Sequence, residues 1–282
     1  MPMPNLHRVL IPASLIALAA VVAPLHAAAQ QAPARDADAV ETVPEPVRNS
    51  TLYPLPAGQA IAVDNPYGSV YMRFGGYEHT LEVWSTLQQP EGAPALTLAP
   101  AARDGRFVVA PMLPDGATLA PGQRMDLVLY VPEGHPVTLR AGGDIEARGV
   151  RSDLDLRNTS GKIQVRAMPG YIVQAESSEG RVEVAMEGAV RPGTVQRIAS
   201  RTGSVTVLLG DDANAEVRMA TSQQFATDFS LQVEHLDGRE PNKSARAVIG
   251  TPRPGKDKAE IVVESLVNEV RLLRRAVFVD PE

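Results

Sequence analysis

One short unit recurs along the chain: a glycine, any residue, Val or Ile, any residue, then Val or Ala. It stands at Gly143-Asp144-Ile145-Glu146-Ala147, Gly161-Lys162-Ile163-Gln164-Val165, Gly180-Arg181-Val182-Glu183-Val184 and Gly203-Ser204-Val205-Thr206-Val207. The glycines are spaced by 18, 19 and 23 residues. An earlier copy, Gly68-Ser69-Val70-Tyr71-Met72, and a later degenerate one, Asn268-Glu269-Val270-Arg271-Leu272, flank the run. Self-similarity at such a period marks a stacked array of small units.

The residues behind each glycine alternate strictly, so Ile163 and Val165 face one side of a strand while Lys162, Gln164 and Arg166 face the other. Gly161, Gly180 and Gly203 follow Ser160, Glu179 and Thr202 at what read as turns, where a positive φ is open to glycine and costly for a residue with a Cβ. Asn268, which replaces the last glycine, tolerates the same left-handed backbone. A second short strand precedes each turn, as at Asp153-Leu154-Asp155-Leu156 and Glu216-Val217-Arg218-Met219. One repeat is therefore strand, corner, strand, loop.

Such a unit has about four apolar side chains to bury, which do not offset backbone ordering of roughly 1–2 kcal/mol per residue. Stacking joins the aliphatic faces into one core. The expected fold is all-β: a solenoid of β-helix or β-roll type with glycine turns, or, as the alternative, a two-sheet β-sandwich built from the same strand pairs. No segment shows the 3.6-residue period of an amphipathic helix, so helix is expected to be scarce.

Residues 1–29 read as a secretory signal peptide, with Arg8 at its start, an apolar stretch Val9 to Leu25, and small residues Ala27-Ala28-Ala29 for cleavage. A membrane anchor is the competing reading, but Pro12 and Pro24 interrupt the stretch. Residues 30–50, rich in Pro, Ala and charge, read as a flexible linker. The β domain is expected over 51–275, divided into an N-terminal capping part, 51–125, and solenoid repeats, 126–275, with a C-terminal tail at 276–282. The chain has no cysteine, which excludes disulfides, thiolate metal sites and a lipidated N-terminus, although export would permit disulfides. A net charge of −6 argues against nucleic acid as a partner.

The run Asp126 to Gly149, with its "VP-x-G" strand end at Val131-Pro132-Glu133-Gly134 and its "GDI" turn at Gly143-Asp144-Ile145, is followed by the Ser160-Gly161-Lys162-Ile163 turn. Over roughly residues 58–273, including the Ala220-Thr221-Ser222 to Asp228-Phe229 strand pair, the pattern resembles a bacterial family of unknown function labelled "putative adhesin" and related to head-GIN-type adhesin domains. The resemblance implies a solenoid-like repeat fold in exported or envelope proteins, and brings no catalytic residues with it.

The search for chemistry yields no catalytic constellation, no cofactor motif and no metal ligand set. His7 and His26 fall in the leader, and His79, His135 and His235 show no ligand spacing. His135, between Gly134 and Pro136, is expected in a solvated loop. Asp153 and Asp155, two apart on one strand, and Asp211-Asp212 are the carboxylates to consider for a polysaccharide-active enzyme, against the plainer role of polar surface. Gly142-Gly143-Asp144 has a partial likeness to calcium-binding β-rolls, but Lys162, Arg181 and Ser204 stand where further aspartates belong. Gly250 to Lys258 reads as a surface loop.

Half of the chain's aromatic side chains lie in one stretch: Tyr53, Tyr67, Tyr71, Phe74, Tyr77 and Trp84. They read first as a plug for the open end of the solenoid. The alternative makes Tyr67, Tyr71, Tyr77 and Trp84 contacts for a ligand such as a sugar ring. The expected function is a non-enzymatic exported protein of adhesin type, periplasmic or at the cell surface, presenting a repetitive β surface to an envelope protein or glycan. An enzyme using outward carboxylates and an envelope stress or regulatory protein are the alternatives. No integral membrane segment remains once the signal is cleaved.

Overall fold

The computed structural model describes residues 45–275; the expected signal peptide, most of the expected linker and the expected C-terminal tail lie outside the described residues. The first part of the chain supplies β1 (Val47–Pro54), β2 (Ala60–Asn65), β3 (Val70–Phe74), β4 (Thr80–Gln88), β5 (Thr97–Leu98) and β6 (Ala101–Arg103). Next come β7 (Arg106–Val109), β8 (Pro111–Met112), β9 (Arg124–Val131), β10 (Val137–Ala141), β11 (Ile145–Arg148) and β12 (Leu154–Asn158). The middle holds β13 (Ile163–Ala167), β14 (Val173–Ser177), β15 (Val182–Met186), β16 (Val195–Ser200), β17 (Val205–Leu209) and β18 (Ala215–Thr221). The last five are β19 (Phe225–Thr227), β20 (Gln232–His235), β21 (Lys243–Ile249), β22 (Glu260–Ser265) and β23 (Val270–Arg274). Helix among the described residues is confined to the two 3-10 turns Asp211–Ala213 and Gly255–Asp257.

From β9 to β19 the strands alternate between two large sheets. The first has the order β1-β4-β9-β3-β11-β13-β15-β17-β23-β19, and the second β20-β21-β18-β22-β16-β14-β12-β10-β2-β7-β6. Each pair β2/β3, β10/β11, β12/β13, β14/β15 and β16/β17 crosses from the second sheet to the first, and equivalent strands of successive pairs run parallel and in register. These are the rungs of a solenoid whose two flat sides are also the two sheets of a sandwich, so the two expected architectures coincide. The β5/β8 pair forms a small separate sheet.

In-register stacking turns the period-2 pattern of each strand into continuous rows. Val70, Ile145, Ile163, Val182, Val205 and Val270 form one inward row of the first sheet, all wholly buried. Val63, Leu139, Leu156, Ala175, Ile198 and Val263 form the facing kind of row in the second. Their neighbours in sequence, such as Gln164 and Glu183, point outward.

The corner glycines are required for a reason other than the expected one. Of the repeat glycines only Gly161 has a positive φ, +78°. The others are glycine because the rungs touch there. A Cβ on Gly180 would lie 1.5 Å from the Gly161 carbonyl oxygen, and one on Gly203 would lie 2.1 Å from that of Gly180. Asn268 likewise is not left-handed. Its backbone N–H donates to Ser265 Oγ (3.1 Å), and its side-chain amide donates to the Thr202 carbonyl of the next rung (3.2 Å).

A buried polar ladder runs beside these glycines. Asn65, Asn158, Ser177, Ser200, Ser265 and Thr221 occupy one row at the end of the second-sheet strands, interrupted only by Ala141. Each stands three residues before the corner position and serves its otherwise unpaired backbone groups. The Gly180 N–H donates to Ser177 Oγ (2.8 Å), and Gly203 does the same to Ser200 (2.9 Å). Ser200 Oγ donates to the Gly180 carbonyl and Ser265 Oγ to that of Gly203, joining successive rungs. At Ala141 the turn to the next strand is one residue shorter.

Both ends depart from chain order. At one, β7 and β9 stack outside β2/β3, although they follow it in sequence. At the other, β22/β23 sits between β16/β17 and β18/β19, so the Asn268 copy is the penultimate rung and the Thr221 to Phe225 segment the outermost. The segment 51–125 is thus more than a cap, since it contributes a complete rung. β1 begins at Val47, inside the expected linker; nearly all its side chains are exposed, and antiparallel pairing with β4 places it.

The outer face of the second sheet ends in a dense charge cluster. Glu216 accepts from Arg246, from Arg218 (3.1 Å) and ion-pairs with Lys258 (3.4 Å), while Glu260 also holds Arg218 and Lys258. Burial alone would raise the Glu216 carboxyl, but these hydrogen bonds from Arg246, Arg218 and Lys258 outweigh it and hold it below its ordinary 4.5.

The fold makes three predictions. Val182→Asp leaves a charge unpaired in the core and should cost about 3–5 kcal/mol, whereas Glu183→Lys loses only an exposed pair with Arg181, worth less than about 1 kcal/mol; equal melting shifts would refute the facing. Gly180→Ala should lower the melting temperature well beyond Gly170→Ala, because Gly170 is left-handed but has open space around it. Glu216 stabilises fully above pH 4.5, and that contribution disappears as pH falls through its lower folded value. Acid titration of stability should therefore be shallower in Glu216→Gln, and an unchanged profile would remove Glu216 from this role.

Candidate functional site

The carboxylates weighed for catalysis do not converge. Asp153 is held by both guanidinium nitrogens of Arg191 (2.9 and 3.1 Å) and accepts from the Ile172 N–H (2.9 Å). Asp155 pairs with Arg157 (3.1 Å), and Asp211 with Arg274. Asp212 lies in the 3-10 turn beside Asp211, with its carboxylate turned back toward Gly210. Asp144 is part of a corner: its Oδ1 accepts from the Lys162 N–H of the next rung (2.8 Å), as Asp126 Oδ1 accepts from Ser69 (2.9 Å).

His135 is 1% exposed, contrary to the solvated loop expected for it. Its backbone N–H donates to Ser152 Oγ (3.2 Å), and Nδ1 lies 2.9 Å from the Gln59 carbonyl oxygen, so the histidine is tucked inward while Gly134 and Pro136 stay exposed. The fold brings His79 to it edge-on at 6.4 Å between ring centroids, a pairing 56 residues apart in sequence. Among the described residues no group of three or more His, Cys, Asp or Glu side chains could hold a metal ion.

The aromatic stretch divides. Tyr53 packs at a tilt against Phe107 with centroids 5.3 Å apart, and Tyr67 packs partly buried on the core at the corner between β2 and β3. Tyr71 and Trp84 turn outward. In β3, Val70 and Met72 point inward and Tyr71 outward; in β4, Leu81 and Val83 point inward and Trp84 outward. The strand between them is β9, whose Val128 is the register partner of both.

Trp84, Val128 and Tyr71 therefore form one row across the outer face of the first sheet, with neighbouring strands about 4.8 Å apart. The next row contains Leu52, Glu82, Tyr130 and Arg73. Trp84 is 44% exposed, and its indole N–H donates to Glu82 Oε1 (2.7 Å), which fixes the ring while leaving a face open. Tyr130 closes over the glycine pair that ends β3: a Cβ on Gly75 would lie 3.2 Å from its ring. Just beyond is a cleft of about 370 Å³ lined by Phe74, Tyr77, His79, Pro132 and Glu133. Phe74 is capped by the Arg151 guanidinium at 4.4 Å from the ring centroid, and Tyr77 is 73% exposed.

The fold thus unites Tyr71 and Trp84, sets Tyr77 at the adjoining cleft and withdraws Tyr67. It adds Val128, Tyr130 and Leu52. The alternation Met125-Asp126-Leu127-Val128-Leu129-Tyr130 makes the outward direction of Val128 and Tyr130 readable in sequence. Their place between β3 and β4 is not readable, because β9 joins the sheet out of chain order.

The arrangement defines a two-sheet β-solenoid with an aromatic pad on one flat side. Among solved structures, it is similar to a "putative cell adhesion protein" from Clostridium sporogenes at 13% identity, over 82% of this chain and 100% of that one, with a TM-score of 0.47. "Putative adhesin" structures from Bacteroides fragilis (10% identity, 80% of this chain and 97% of that one, TM-score 0.41) and Parabacteroides merdae (10%, 81% and 96%, 0.25) are also similar. These neighbours carry the same adhesin label as the family that the glycine turns resemble. At such identities and scores the likeness carries no argument about what this chain binds. No family model matches the sequence, and no curated protein matches it significantly. Among the described residues no helix is long and apolar enough to cross a membrane.

Proposed function

We propose that this is a non-enzymatic exported binding protein of adhesin type, which presents the outer face of its first sheet to a component of the cell envelope. The observation that carries the reading is the outward row Trp84, Val128 and Tyr71 with Tyr130 beside it. Large rings on a half-buried sheet usually turn inward, where burial is worth most. Here the inward positions of the same strands are filled by Val, Met and Leu, and the aromatics are left on a rigid, flat surface. Such a surface suits stacking against sugar rings, since the rings are already held in place and little freedom is lost on contact. The enzymatic alternative draws no support from Asp153, Asp155 and Asp211, each bound to a different arginine.

The test is binding of the purified protein to peptidoglycan sacculi and to immobilised envelope polysaccharides. Trp84→Ala combined with Tyr71→Ala should weaken binding about tenfold or more while the thermal transition stays in place. Undiminished binding by this variant would dismiss the pad as the contact surface.

A further inference from the structure

We propose that the aromatic pad continues into an anion-binding strip made by Arg73, Arg148 and Arg166, and that the ligand of this face is a linear acidic polysaccharide. The inference rests on the aromatic surface just proposed and adds the chemical class of its ligand. Arg73 in β3, Arg148 in β11 and Arg166 in β13 are direct register partners, so three guanidinium groups stand in line along the solenoid axis, one per rung. The same row runs through Leu52, Glu82 and Tyr130 before Arg73 and passes, after Arg166, into Ala185 and Leu208. The cationic part is therefore confined to the three rungs that adjoin the aromatic rings.

The strip is only partly neutralised from within. Glu146, mostly buried between them, accepts from Arg73 and from Arg148 (2.8 Å). Arg166 reaches only Glu187, at 3.7 Å, and that carboxylate also holds Arg275 at 3.3 Å. Among the described residues, four guanidinium groups thus share two carboxylates, on a chain whose net charge is −6. The outer face of the second sheet differs. There Arg140 and Arg157 are also register neighbours, but Asp64 and Glu176 bracket them in the same row and Asp155 binds Arg157.

Spacing and company decide the class of anion. Parallel strands repeat every 4.7–4.9 Å or so, which presents one cation per rung to a polymer lying along the axis, and a chain of uronic acids carries about one carboxylate per ring at a comparable repeat. Guanidinium forks suit carboxylates held in this way. Glu82 lies within the same surface, where it would accept from a sugar hydroxyl. The rings of Trp84, Tyr71 and Tyr130 supply the stacking faces for the sugars at the end of the strip.

Polygalacturonate and its fully methyl-esterified form share a backbone and differ in charge, so together they isolate the strip. The full chain should bind polygalacturonate more tightly than the ester, with affinity falling as salt shortens the screening length from about 10 Å at 0.1 M to about 3 Å at 1 M. Arg148→Glu combined with Arg166→Glu should weaken polygalacturonate binding at least about tenfold and leave the ester unaffected. The alanine pair should shift it in the same direction. Arg140→Glu combined with Arg157→Glu makes the same charge change on the opposite face and should bind as wild type. Equal affinity for the two polymers, no binding of polygalacturonate, unchanged binding by the Arg148 and Arg166 variants, or a preference for duplex DNA would each overturn the strip. If the Trp84 and Tyr71 variant still loses binding to the ester or to sacculi in that event, the aromatic reading stands alone; if only the arginine variants lose binding, the strip stands and the aromatic reading falls.

Discussion

Everything in this molecule depends on how closely one rung approaches the next at the corner where the chain passes between sheets. A Cβ on Gly180 has no room against the Gly161 carbonyl, and Gly203 stands in the same relation to Gly180. This contact holds successive strands in register, and register aligns inward Val and Ile into a continuous core. A corner turned so tightly leaves backbone groups without strand partners. Ser177, Ser200 and Ser265 accept from the N–H that follows, and Ser200 and Ser265 donate to the carbonyl of the neighbouring rung. Sterics and hydrogen bonding therefore specify the same geometry.

Stacking of this kind has a consequence for the surface. Outward positions of successive rungs also fall into rows, so a residue type repeated at one position becomes a line of like chemistry along the axis. On the second sheet acidic residues bracket the arginines of that line, and a separate cluster of ion pairs forms around Glu216. On the first sheet the line is aromatic at one end and cationic beside it. The difference lies in β4 and β9, which bring Trp84, Val128 and Tyr130 into the first sheet beside Tyr71 and Arg73.

Several elements were legible from the residues alone. Alternation located the strands from β10 to β17, and the facing of Val182 against Glu183 follows from it without further information. The polar residue three positions before each corner, in Ser177-Ser178-Glu179-Gly180 and Ser200-Arg201-Thr202-Gly203, was equally open to reading, although its role as a buried cap emerges only beside its neighbour. The glycines were recognised as corners but for an incomplete reason, because a clash between rungs has no signature within one rung. His135 shows the same limit: Gly-His-Pro reads as a surface turn, and the burial of its histidine comes from Gln59 and Ser152, both distant in sequence.

By itself the sequence determined that the described chain is all-β, that its strands come in glycine-marked pairs, and which side of each strand is apolar, because these follow from local periodicity and from the backbone freedom of single residues. The tertiary structure decided the order of the rungs. β7 and β9 stack outside β2/β3, and β22/β23 slides beneath β18/β19, since a strand edge accepts any partner of matching register whatever its distance along the chain. That decision placed Tyr130 between Arg73 and Glu82 and put Trp84 in line with Tyr71. The surface on which a function can rest was made by long-range strand pairing, which a local pattern does not encode.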